Sequence, residues 1–237
     1  MRHYSSYRKG GHTMESPAGT AASTRLKIDV WADVLCPWCY LGEQRLENAI
    51  GQSPHAGDID VTIHTFQLDP DGPATVMPVL EYLSGKYGLP ADQARSLEER
   101  MAGLAAAEGL KYEVDRPARN TFDLLRLVHL GAEYGVAWEY LRAMQAEVFG
   151  GHDDAFEPGT LVRTGEELGI PADQIREVLA TDRYSDAVRA DHEAAVRMGA
   201  RGVPFTVLGE RLGIPGAVST SQYADAINQA WEQVNGR

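Results

Sequence analysis

The sequence predicts an α/β fold in which a sheet-bearing unit is interrupted by an all-helical insertion. Three observations predict it. Residues 26–35 and 59–66 carry the alternating, β-branched pattern of strands. Residues 77–181, about 105 in number, are patterned as helices. After them come a helix, a short hairpin and a closing helix. With the helical block set aside, about 110 residues remain, enough for one compact unit whose strands share a sheet. The expected organisation is therefore 1–24 as a disordered leader or expression remnant, 25–76 with 182–237 as the sheet-bearing domain, and 77–181 as the helical insertion.

In the first strand Leu26, Ile28, Val30, Ala32 and Val34 lie on one face. The helix that follows opens on Cys36-Pro37-Trp38-Cys39-Tyr40, runs to about Ile50 and stops at Gly51. A loop over Ser53–Asp58 leads to the strand at 59–66, which Asp69-Pro70-Asp71-Gly72-Pro73 breaks. Phe66 and Leu68 read most simply as core. The block gives helices over Met77–Tyr87, Asp92–Glu108, a segment capped by Asn120 or Thr121, Trp138–Phe149, Pro158–Leu168 and Pro171–Ala180. His129 and His192 fall on helices and read as core or surface residues. Beyond the block, Tyr184–Met198 is helical and Phe205–Leu208 is a short strand. Gly209-Glu210 turns into its partner, and Ser219 or Thr220 caps a helix bearing Tyr223, Ile227 and Trp231.

The formal net charge is -12, from 22 Lys+Arg against 34 Asp+Glu. Arg2, Arg8 and Lys9 stand in the first fourteen residues, which contain no acid, so residues 15–237 carry -15. So acidic a surface repels phosphate backbones, which excludes nucleic acid as the expected partner. No stretch approaches the roughly 18 consecutive apolar residues of a membrane span. The N-terminus lacks the apolar core of a secretory signal, and Met14 is an alternative start. The expected compartment is then the cytoplasm, where thiols are kept reduced.

Cys36 and Cys39 are the chain's two cysteines. A strand feeding a helix with Cys-x-x-Cys at the junction is the context of a thioredoxin-like redox site. Three positions apart on a helix, two sulfurs can reach bonding distance with little backbone change. Pro37 is accommodated because the N–H it removes would lack an intrahelical partner. The helix N-terminus favours Cys36 as a thiolate, the nucleophilic form. The expected chemistry is attack by Cys36, a mixed disulfide on Cys36, and resolution by Cys39, which lies one turn in, shielded by Trp38 and Tyr40. Plainer readings compete. Half of a zinc site would need about four ligands, but there is no third Cys and the seven His are scattered, so no metal is expected. A static disulfide fits a reducing compartment poorly. The same fold could also carry a reaction other than dithiol exchange.

Cys-Pro-Trp-Cys-Tyr after Ala32-Asp33-Val34-Leu35, with Gly202-Val203-Pro204-Phe205 some 165 residues later, resembles the DsbA family. The closer resemblance is to its FrnE-like branch, the dithiol-disulfide isomerase-like proteins of polyketide biosynthesis. Phe66-Gln67-Leu68-Asp69-Pro70, Asn120-Thr121, Arg189-Ala190-Asp191 and Pro215-Gly216-Ala217 add weaker support, and the likeness covers roughly 26–234. It implies a thioredoxin-like fold with an all-helical insertion. It implies that Pro204 is cis and faces the cysteines, and that Val203 offers main-chain groups to a bound peptide. Pro37, Trp38, Val203 and Pro204 are then the expected substrate-binding residues. Trp38 and Tyr40 could equally be partly buried packing.

Two departures stand out. Thioredoxins carry a buried acid six residues before the first active cysteine, and here that position is Val30. Asp33 is the candidate for proton transfer, with a solvated strand-end acid as its plainer reading. The Pro37-Trp38 dipeptide also lacks the His of strongly oxidising DsbA enzymes, so a couple less oxidising than about -120 mV is expected.

The expected activity is thiol-disulfide oxidoreductase or isomerase on a disulfide-bearing protein or small-molecule client, with a thiol reductant to recycle the pair. No cofactor is expected beyond the redox-active cysteines, with glutathione as a candidate co-substrate. Kappa-class glutathione transferases and 2-hydroxychromene-2-carboxylate isomerases share the implied fold but generally have Ser at the first Cys position. They are the alternative enzyme class, and a non-enzymatic peptide binder is a third reading.

Overall fold

The computed structural model describes residues 24–236, so the expected leader and Met14 lie outside the described residues except for Thr24. Strand β1, Leu26–Ala32, pairs in parallel with β2, Ile59–Thr65, from Leu26↔Ile59 to Ala32↔Thr65. On its other side β1 pairs antiparallel with β5, Phe205–Leu208, which pairs with β6, Leu212–Pro215. The sheet order is β2-β1-β5-β6, so the strands before and after the helical block do share one sheet.

Each face of this sheet is covered for a reason visible in the strands. Leu26, Ile28 and Val30 are buried with Leu46 and Ala49 of α1, Pro37–Gln52, and with Tyr223 and Ile227 of α9, Thr220–Asn235. The opposite face buries Trp31 and Phe205 with Ala195 of α8, Ser185–Arg197. Of the two expected caps, Ser219 rather than Thr220 caps α9, in a reciprocal capping box with Gln222. Gly209 and Glu210 both take positive φ, 57° and 60°, in the β5–β6 turn.

Between β2 and α8 the chain forms α2 (Val79–Tyr87), α3 (Ala91–Ala107), α4 (Phe122–Glu133), α5 (Ala137–Phe149), α6 (Pro158–Glu167) and α7 (Ala172–Ala180). A two-residue antiparallel ladder joins β3, Met77–Pro78, to β4, Pro117–Ala118. It was not visible in the sequence, because such short pairing leaves no periodicity. The largest cluster of buried apolar side chains joins Ala32, Val34, Cys36 and Cys39 to Leu124, Leu125, Tyr140, Met144 and Ile175. The cysteines thus sit where the sheet-bearing part meets α4 and α5.

Other boundaries differ from expectation. The first strand stops at Ala32 rather than at residue 35. The Asp33 carboxylate accepts the Leu35 N–H at 3.3 Å, its carbonyl accepts the Cys36 N–H at 3.3 Å, and the chain turns there. Thr121 occupies the cap position of α4 without a capping side-chain bond, and the Asn120 side chain accepts the Phe122 N–H instead. Phe66 is core, but Leu68 is 43% exposed. Its N–H is pinned by the Asp33 carboxylate at 2.8 Å, leaving its side chain on the wall of the cavity beside Cys36. No helix among the described residues is long and apolar enough to cross a membrane.

Candidate active site

The turn after β1 delivers Cys36 to the N-cap of α1, with φ -78° and ψ 114°, and Pro37 to its first helical position. The Cys36 Sγ accepts the Cys39 main-chain N–H at 3.3 Å, in the place a capping oxygen usually takes. The same thiol donates to the Val203 carbonyl at 3.5 Å. The Val203–Pro204 peptide bond is cis. Pro204 is held from behind by the Gly216 N–H on its carbonyl at 2.7 Å. Gly42, on the face of α1 turned to this loop, makes the close approach feasible. A Cβ there would sit 3.0 Å from Pro204 Cγ and 3.1 Å from Ala217 Cβ.

The two thiols are unbonded and unequal. Cys36 borders a cavity of about 130 Å³ with Pro37, Leu68, Tyr82 and Asn120. Beyond Asn120 an open cleft of about 520 Å³ has Phe122 and Val188 in its lining, with Gln67, Arg189 and His192. Cys39 is fully buried behind Cys36. Burial pushes the Cys39 thiol well above its usual range, the hydrogen bond and charge of Cys36 and the charge of Glu43 push it further, and only the Asp33 main chain opposes them.

The expected shielding of Cys39 by both neighbours holds for one. Tyr40 is buried and stacks on Phe149 of α5, ring centroids 4.6 Å apart, while Trp38 is 43% exposed. Asp33 is not a solvated strand-end acid: it is 2% exposed. Burial raises its pKa, opposed by the N–H groups of Leu68, Leu35 and Val34 and the Thr121 hydroxyl. Its carboxylate ties the β1–α1 turn to the segment after β2, and its main chain opposes the rise of the Cys39 pKa.

The buried acid beside Cys39 is Glu43, one turn further along α1 and 1% exposed. Gln145 of α5 donates to its Oε1 at 3.2 Å. Arg142 of α5 stands 3.7 Å from Oε2, an ion-pair distance, and that oxygen has no hydrogen-bond partner. Burial raises the Glu43 pKa to about 8 against the pull of Arg142 and Gln145. Arg142 is itself fixed by the Tyr40 carbonyl at 3.1 Å and the Gln44 side chain at 2.8 Å.

The DSBA-like thioredoxin domain matches residues 27–228. The chain belongs to that family. This DsbA-like chain is 37% identical to the probable DsbA oxidoreductase of Streptomyces coelicolor, whose structure it matches with a TM-score of 0.82 over 88% of this chain and 91% of that one. It shares its fold with a 2-hydroxychromene-2-carboxylate isomerase (18% identity, TM-score 0.64, 87% and 97% of the two chains). It shares it also with the cytosolic disulfide reductase DsbM of Pseudomonas aeruginosa with GSH (20%, 0.54, 87% and 96%). At the level of the family it is a thiol-disulfide oxidoreductase on a thioredoxin fold with a helical insertion.

Two features of this DsbA-like site escaped the sequence reading. One is Glu43. Its signal was its place four residues after Cys39, on the apolar side of α1 with Leu46 and Ala49. The other lies across the sheet. His64 on β2 binds Asp29 through Nε2 at 2.8 Å and Asp191 through Nδ1 at 3.3 Å, and stacks on Trp31 at 4.3 Å. His129 of α4 reaches Asp191 at 3.2 Å. His129 is thus neither plain core nor plain surface, while His192 stacks on Phe66 at 4.1 Å. Among the described residues no cluster of His, Cys, Asp or Glu is arranged to hold a metal ion.

Proposed function

We propose that this chain exchanges disulfides of protein or small-molecule clients through the Cys36–Cys39 dithiol, Cys36 attacking and Cys39 resolving. The observation that carries the reading is the asymmetry of the pair: Cys36 caps α1 and borders a cavity, and Cys39 is sealed behind it. A helix N-terminus favours a negatively charged sulfur at its cap. When Cys36 leaves the Val203 carbonyl to bond a client, that carbonyl is free to accept a client main-chain N–H, as in strand addition. A cavity of about 130 Å³ suits the client's sulfur and its neighbouring atoms, and the cleft beyond Asn120 suits the rest.

The client remains bound to Cys36 until Cys39 displaces it, and a thiol reductant then reopens the Cys36–Cys39 disulfide. Glutathione is the reductant of choice, in line with the DsbM structure with GSH, and the compartment is the cytoplasm. Pro37, Trp38, Val203 and Pro204 contact the client. No cofactor beyond the dithiol takes part.

In a disulfide-reduction assay Cys36→Ser abolishes activity, and Cys39→Ala accumulates mixed disulfides with clients in native extract. Full activity in the Cys36→Ser variant overturns the reading. The shared fold with 2-hydroxychromene-2-carboxylate isomerase supports a second reading, a glutathione-dependent transferase or isomerase. Cys at the first position stands against it. Glutathione-dependent isomerisation surviving loss of Cys39 would favour it.

A further inference from the structure

We propose that the cavity beside Cys36 selects disulfides carrying a carboxylate on a short arm, and that Arg119, seconded by Lys86, receives that carboxylate. The inference rests on the dithiol reading above and names the class of client the site takes. The sheet-bearing part gives the cavity Asp33, Cys36 and Pro37. Much of the remaining wall comes from the helical insertion. Helix α2 brings Tyr82 and Lys86, which stand four apart and so share one face of it. The link from β4 to α4 brings Arg119 and Asn120. Two bonds to the segment after β2 hold this link in place. The Asn120 N–H donates to the Pro73 carbonyl at 2.8 Å, and the Arg119 Nε donates to the Ala74 carbonyl at 3.1 Å.

The charged side chains of the lining are Asp33, Asp69, Lys86 and Arg119. Both acids are already satisfied. The buried Asp33 carboxylate accepts the N–H groups of Leu35 and Leu68. Asp69 accepts the Tyr82 hydroxyl and pairs with Lys86 at 2.6 Å. Asp123, which lines an adjoining cleft with Arg119, is paired with Arg126 at 2.7 Å. Among the described residues Arg119 therefore has no carboxylate within ion-pair distance, and its Nη groups make no hydrogen bond. It is partly buried and borders the same cavity as the nucleophilic thiol. A guanidinium with its Nε taken and both Nη groups free offers a planar fork that matches a carboxylate.

Size and charge narrow the client further. A cavity of about 130 Å³ holds the attacked sulfur and a short arm, not a folded loop. The chain as a whole carries -12, so its long-range field favours cationic clients over anionic ones. The two fields thus predict opposite orders of reactivity. The whole chain favours a cationic arm, and the cavity favours an anionic one. Lys86 plays the smaller part, because Asp69 already offsets its charge.

The exchange balances as an ordinary thiol-disulfide step. Cys36 gives its proton to water and its sulfur attacks the client sulfur that bears the acidic arm. The client S–S bond breaks, and its electron pair leaves with the other half as a thiolate, which takes a proton from water. The arm stays on Cys36 as a mixed disulfide, its carboxylate on Arg119, until the Cys39 sulfur displaces it and the arm departs as a thiol. The enzyme dithiol is oxidised by one electron pair and the client disulfide is reduced by the same pair.

The test uses 2-thiopyridyl disulfides, whose common leaving group keeps the chemistry constant. Their arms come from 3-mercaptopropionic acid, 2-mercaptoethanol and cysteamine, which are anionic, neutral and cationic and of similar length. Thiopyridone release from reduced enzyme reads Cys36 attack, and mass spectrometry after acid quench places the arm on Cys36. Each rate is divided by that of free 2-mercaptoethanol with the same compound, which removes the arm's own reactivity. The wild type should favour the anionic arm over the neutral one about tenfold, on the order of one hydrogen bond to a charged group. It should favour it over the cationic arm by more, and high salt should shrink both ratios. Arg119→Gln should lose most of the anionic-to-neutral ratio, whereas Arg119→Lys, which keeps the charge, should keep most of it. A wild-type ratio of one or less, or a ratio kept in full by folded Arg119→Gln, overturns the proposal. If the wild type releases no thiopyridone from any of the three compounds, the dithiol reading itself has failed.

Discussion

At the scale of single residues the two cysteines differ by position rather than by type. Cys36 is held by three neighbours it can leave: the Cys39 N–H, the Val203 carbonyl and the cavity wall. Cys39 has no exit except toward Cys36. Trp38 lies between them in sequence but outside them in space, half-exposed. A side chain that solvent reaches so freely contributes little to folding, and its apolar ring is better explained by contact with a client. Trp38→Ala should therefore change the urea unfolding free energy by no more than about 0.5 kcal/mol. It should raise KM for peptide disulfides about fivefold, about 1 kcal/mol of binding, with kcat little changed. Equal KM values for variant and wild type would remove Trp38 from the client surface.

At the scale of elements, α1 does three things with one surface. Its N-terminus presents Cys36, its second turn carries Glu43 against α5, and Gly42 admits Pro204. The two glycines of this helix separate these duties. Gly51 has nothing within 4 Å of an added Cβ, so Gly51→Ala should stabilise by up to about 1 kcal/mol through helix propensity alone. Gly42→Val, with Pro204 Cγ at 3.0 Å, should destabilise by about 1–3 kcal/mol and slow Cys36 attack by pushing the cis-proline loop away. Urea midpoints and thiopyridone release check both, and a Gly42→Val protein as stable and as fast as wild type would refute the contact. Elements of this kind were legible in the sequence where period and caps speak locally: α1, β5 and the start of β1 needed nothing else, while the end of β1 was set by the Asp33 turn. Glu43 was not, because its burial is decided by α5, some 100 residues away, and its place on the apolar side of α1 does not by itself say that an acid is buried there. The cis bond at Pro204 was legible only through the family resemblance.

At the scale of the whole molecule, one polar network ties the sheet to α4 and α8. Asp29 and His64 stand on β1 and β2, His129 on α4 and Asp191 on α8. The alternation of β2 put His64 on its polar face, but only the docking of α4 and α8 makes that face half-buried. Burial disfavours the His64 charge. The hydrogen bonds to Asp191 and Asp29 outweigh it and raise the pKa from 6.5 to about 9. Burial would likewise raise Asp191, but His129, His64 and the Thr65 N–H hold it well below the usual carboxylate range. The signs follow from linkage. A histidine whose pKa rises on folding stabilises fully below its unfolded value of about 6.5, and that contribution is lost as pH rises through about 9. The Asp191 contribution is complete above about pH 4 and is lost only in strong acid. Glu43, raised to about 8 by burial, also weakens the fold as pH rises, but over a range that begins near its unfolded value of about 4.3. A comparison of wild type with His64→Gln cancels Glu43, which both proteins share. The variant keeps a hydrogen-bonding side chain and loses the titration. Its Tm should fall well below that of wild type at pH 6, and the gap should narrow at pH 9.5, where the imidazole of the wild type is largely neutral. A gap of equal size at both pH values would mean that the imidazole carries no charge between Asp29 and Asp191, and that α4, α8 and the sheet are joined by neutral hydrogen bonds alone.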